Sequence, residues 1–168
     1  ADKGFSNDIA VLALALVGLG NLIGTWLAGR SAAYFPKQYT LAFIYLGRCI
    51  VFLCFLYLPI TPQLVVGLSF ILGLLWLSTV PLTSSLVANF FGPVWMTMLF
   101  GIVFMSHQIG SFSGVWLAGR FFDMTSSYDL MWWSSIGLGL FAAVVHWPIS
   151  QEPVARLKAS SAAPVPAE

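Results

Sequence analysis

Three places in this 168-residue sequence put chemically capable side chains inside otherwise apolar runs. The first is Arg48, in YTLAFIYLGRCIVFLCFLYL (Tyr39–Leu58). It lies some ~15 Å into that run at 1.5 Å per helical residue. A buried guanidinium can receive an anionic group such as a carboxylate, and an intramembrane charge reads as functional by default. It can equally snorkel to the nearer surface or pair with helix-end carbonyls. The second is SHQIGSFSG (Ser106–Gly114), where His107, Ser111 and Gly114 share a helical face and Gln108 is adjacent. Such a stripe must face other helices or water. His107 could contact solute or carry a proton, or it could make an interhelical hydrogen bond. The third is WLSTVPLTSS (Trp76–Ser85), where Pro81 removes a backbone hydrogen bond and frees carbonyls upstream. Trp76, Thr79 and Pro81 would line a broken helix, or the proline would only kink it for packing.

Other chemistries are not supported. No acidic residue occurs between Asp8 and Asp123, so there is no carboxylate pair or triad aspartate. His107 and His146 fall in different runs, at different depths, too few for a metal. Cys49 and Cys54 sit in one apolar run off any shared face and read as small hydrophobes. Glycine-rich phosphate loops are absent, and a formal charge of +1 leaves no nucleic-acid footprint. We therefore expect no enzyme, cofactor, metal or nucleic-acid partner.

The elements that position these groups follow from composition. Hydrophobic residues make up 59% of the chain and charged ones 8%, with a mean hydropathy of +0.90. Water cannot be the solvent for such a surface. Gly, Pro and polar turns divide the chain into five spans, about 9–29, 39–58, 63–89, 94–122 and 130–147. Residues 1–148 form one transmembrane bundle, and 149–168, Ala/Pro-rich and aperiodic, read as a disordered tail. Strand alternation never appears, so the fold class is all-α integral membrane. Arg30, Lys37, Arg156 and Lys158 against Lys3 and Arg120 place the N-terminus outside and the tail in the cytoplasm of an inner (plasma) membrane.

The sequence also repeats itself. LGNLIGTWLAGR (Leu19–Arg30) and IGSFSGVWLAGR (Ile109–Arg120) share seven of twelve positions at an offset of 90. Gly20, Gly24 and Ala28 correspond to Gly110, Gly114 and Ala118, a small-xxx-small series that lets helices approach closely. Spans one and four cross in opposite directions, so the repeat between helices 1–2 and 4–5 is inverted, as in secondary transporters. Span four is the middle of a triplet. Span one should then have a helix before it, which makes these five spans of a six-helix half.

GFSNDIAVLALALVGLGNLIGTWLAGR, STVPLTSSLVANFFGP and LFGIVFMSHQIGSFSGVWLAGRFFDMTSSYDLMWW resemble the C-terminal half of major facilitator superfamily transporters. The branch that they resemble holds bacterial monocarboxylate and oxalate/formate carriers. GTWLAGRSAAYFPKQ stands where that family's loop motif recurs, but with Gly29 in place of the acidic residue and Ser31 after Arg30. The resemblance implies a secondary transporter moving a small organic anion, such as a monocarboxylate, by alternating access with a proton. It implies a path near the midplane lined by Arg48, His107, Gln108 and the Pro81 region, and as partners the solute, the bilayer, an N-terminal half and one further helix. A multi-span scaffold or partner-binding subunit is the alternative.

Overall fold

The computed structural model describes residues 6–154. Six helices account for nearly all of them: α1 (Asn7–Ser31), α2 (Lys37–Tyr57), α3 (Pro62–Trp76), α4 (Thr79–Phe91), α5 (Pro93–Thr125) and α6 (Asp129–His146). With α3 and α4 taken as one interrupted span, five helices are long and apolar enough to cross a membrane. The described residues contain no strand. The tail reading falls largely on residues 155–168, outside the described residues; just before them, the Val154 N–H donates to Phe90 O at 3.1 Å.

Local chemistry sets the helix ends. Asp8 in the first turn of α1 and Arg30 in its last complement the helix dipole. Ser31 Oγ donates to Ala28 O at 2.8 Å and closes the helix. Thr61 caps α3 by accepting from Leu64 N at 3.3 Å, with Pro62 at the first helical position. Gly92, at φ 78°, takes the chain from α4 into Pro93 of α5, a conformation that only glycine adopts without strain.

The core sits around α2, the helix with the most buried residues. Leu41 and Ile44 pack with Ala28 of α1 and with Leu82 and Leu86 of α4. On its other side α2 packs against α6, where Gly139 lies against Cys49 Sγ and the thiol donates to Ile136 O at 3.5 Å. α1 buries only Gly20, Gly24 and Ala28, and it lays that stripe directly on α3. A Cβ on Gly20 would lie 2.5 Å from Phe70 O, and one on Gly24 would overlap Leu74 O. α3 answers with Gly73, where a Cβ would strike the backbone of Val17. Two backbones in contact gain dispersion that side chains would prevent.

The second copy of the repeat is placed differently. A Cβ on Gly110 or Gly114 would meet nothing within 4 Å, and Ala118 is half-buried. α5 buries no described residue and touches the bundle through α4 and, more sparsely, α6. Elsewhere large apolar side chains face outward, with Leu14 74% and Trp26 63% exposed. At about 25 cal/mol per Å² such a surface is untenable in water and natural in lipid.

Candidate functional site

The site is built on the interruption between α3 and α4. The apolar run of the third span holds Pro81, which leaves a broken helix or a kink for packing open; the chain leaves the helix at Leu77 and Ser78. Pro81 explains the break. It has no N–H to give to Leu77 O four residues back, and that carbonyl takes the Val80 N–H at 3.1 Å in a tighter turn. The Leu77 N–H also leaves the helical ladder and donates to Asn21 Oδ1 of α1 at 3.2 Å. Ser78 Oγ donates to Leu74 O, and Ser84 Oγ donates to Pro81 O at 3.1 Å. Inside a bilayer the Leu77 N–H would otherwise be unpaired at a cost of several kcal/mol.

Arg48 completes this repair. It is the twelfth residue of the 21 in α2 and reaches the carboxyl end of α3. Its Nε donates to Leu75 O at 3.1 Å, while Nη2 donates to Leu75 O at 2.6 Å and Trp76 O at 2.5 Å. The guanidinium also lies 5.2 Å from the centroid of Tyr45 and 5.9 Å from that of Trp76. A planar fork spanning two adjacent carbonyls at a negative helix end suits arginine and no other side chain. Of the two roles open to Arg48, pairing with helix-end carbonyls is the geometry present.

Beside the break lies a cavity of about 350 Å³ whose polar lining is Tyr45, Thr79, Thr83, His107 and His146. Four elements contribute: α2, the amino end of α4, α5 and α6. The Phe104 and His107 rings are 6.2 Å apart and tilted by 33°, and the Tyr45 and His146 rings are 5.3 Å apart. His146 Nδ1 is 2.7 Å from Ala142 O. A carbonyl can only accept, so Nδ1 carries the hydrogen, and a neutral His146 keeps a bare Nε2.

The structure thus brings Thr79 and His107 into the cavity lining and sets Pro81 at the break, while Arg48 and Trp76 meet at the carboxyl end of α3 and are not part of that lining. Gln108 and Ser111 stay exposed on α5, outside the cavity lining. His107 and His146, which stand in different runs of the sequence, line the same cavity. His146 was missed because it closes α6 beside Trp147 and Pro148, where a histidine reads as a surface residue. Tyr45 stands three residues, one helical turn, before Arg48, and that spacing was a usable signal. Asn21 carried none, because its partner is a backbone group 56 residues away.

The fold and the polar contacts at the break define a multi-pass helical membrane protein with an interrupted span. The chain is similar to the uncharacterized MFS-type transporter YcxA of Bacillus subtilis (strain 168), 26% identical over 122 residues. That match covers 70% of this chain and 29% of the relative's length. No family model and no solved structure matches the chain.

Proposed function

We propose that this chain is part of a secondary transporter and that the cavity beside the α3–α4 break is where its solute binds. One observation carries the proposal: an interrupted span opens onto two histidines, a tyrosine and two threonines in a chain similar to an MFS-type transporter. The cavity suits a small organic anion such as a monocarboxylate. The amino end of α4 lends partial positive charge, Thr79 and Thr83 supply hydroxyl donors, and either histidine supplies a cationic N–H once protonated. Arg48 braces the path without serving as the first contact of the solute. The histidines carry the coupled proton, so that solute and proton cross as a neutral pair by alternating access. The open face of α5, with Gly110 and Gly114, would receive the further helix of a longer chain.

The test is uptake by the full-length protein in liposomes, with radiolabelled acetate, lactate and pyruvate and an imposed proton gradient. Uptake of at least one anion should rise with the gradient and fall about tenfold or more in His146→Ala and in His107→Ala. Gradient-insensitive uptake would remove the proton from the account. Unchanged uptake in both variants would remove the cavity.

A further inference from the structure

A second concave site lies at the opposite end of α2, where Phe55, Leu56 and Ile60 face the turn between α5 and α6. Its volume is about 440 Å³. Two stacked ring pairs stand in its wall: Phe122 with Tyr128, 4.7 Å apart at 23°, and Phe55 with Trp132, 5.7 Å apart at 22°. Asp129 opens into the same space, and no lysine or arginine lines it.

The turn leaves that carboxylate free. Ser126 closes α5 in the left-handed conformation at φ 52°, its N–H donating to Phe122 O at 2.7 Å. Ser127 is then held by Thr125: its N–H donates to Thr125 Oγ1 at 3.3 Å, while that hydroxyl gives its own hydrogen to Phe121 O at 2.8 Å. Ser127 Oγ in turn accepts from the Asp129 N–H at 3.0 Å. Asp129 is the first residue of α6, one past the N-cap position held by Tyr128, and among the described residues its carboxylate accepts no hydrogen bond and forms no ion pair.

We propose that this cleft binds a small organic ammonium group. Aromatic walls attract a cation through the ring quadrupole, most strongly a quaternary or alkyl ammonium whose hydration is weak. Asp129 supplies the counter-charge, and Leu56 and Ile60 accept the attached methyl or methylene groups. A hard metal ion is a poor fit, since it needs six or more oxygen ligands and this wall offers one carboxylate and a few hydroxyls. The same chemistry arrives from two sources, a free ammonium solute or the headgroup of a choline or ethanolamine lipid.

The probe is tetramethylammonium, added to the intact protein in maltoside micelles, which have neither aromatic nor ammonium groups. Saturation transfer from the protein's aromatic protons to the probe's methyl protons reports binding. The transfer should saturate, and the affinity should fall about tenfold or more in Asp129→Asn and in Tyr128→Leu. Tyr128→Phe and Asp123→Asn, which keep the ring and the carboxylate of the cleft, should bind like the unmodified protein. Near-ultraviolet circular dichroism matching the unmodified protein establishes that each variant is folded. Competition by added phosphatidylcholine but not phosphatidylglycerol identifies a lipid headgroup as the ligand; no competition by either identifies a soluble ammonium. Transfer that does not saturate, or equal affinity in Asp129→Asn, overturns the proposal and leaves the rings as an interfacial aromatic belt.

Discussion

Arg48 shows how little of a side chain's role its type decides. The sequence places a cation deep in an apolar run, but its partners, Leu75 O and Trp76 O, are backbone atoms 27 and 28 residues away. Carbonyls leave no trace in a sequence, so ligand contact and helix-end pairing could not be separated there. With the partners known, the consequence is specific. Arg48→Ala strands two carbonyls in a low-dielectric interior and should destabilise the protein by about 2–4 kcal/mol. Arg48→Lys should recover only part, because an ammonium is a point charge that cannot fork across both acceptors. Thermal unfolding in detergent without any solute measures this. A solute-binding arginine that braces nothing would leave the unfolding curve where it is.

At the scale of elements, the repeated Gly-x-Trp-Leu-Ala-Gly-Arg ending proves informative through its asymmetry. Gly24 lies against the backbone of α3 and Ser78 Oγ, 2.7 Å from where a Cβ would be, whereas Gly114 has open space. Gly24→Val should therefore push α1 from α3 and cost about 1–3 kcal/mol. Gly114→Val in this chain should stay within about 0.5 kcal/mol of the parent. Equal losses in chemical unfolding would contradict the packing described. The interruption of the third span offers a second check. Pro81→Ala restores the missing N–H, so the helix should close through Leu77 and hydrogen exchange there should slow. Exchange unchanged at Leu77 and Ser78 would show that Asn21 and Arg48 hold the break without the proline. The proline was legible as a breaker. That the chain would leave the helix two residues before Thr79 depended on Asn21 and Arg48 arriving from two other helices, which no local pattern records.

For the whole molecule, the all-helical membrane class was legible because lipid demands long, nearly charge-free runs, and Gly, Pro and polar turns punctuate them. Which runs touch was not legible. α1 and α5 carry nearly the same stripe, yet α1 packs against α3 while α5 buries nothing. The convergence of His107 and His146 on one cavity is likewise a product of packing, since they stand 39 positions apart on different helices. That convergence is the centre of the functional account, and its most direct test is the reactivity of a thiol placed there. In the full-length protein with Cys49 and Cys54 replaced, Thr83→Cys should react with a membrane-impermeant maleimide. The transported anion at saturation should slow that reaction by about tenfold, while Ser111→Cys, outside the cavity, should react at the same rate with or without it. A Thr83 thiol labelled equally fast in the presence and absence of the anion would mean that the cavity is not the solute site.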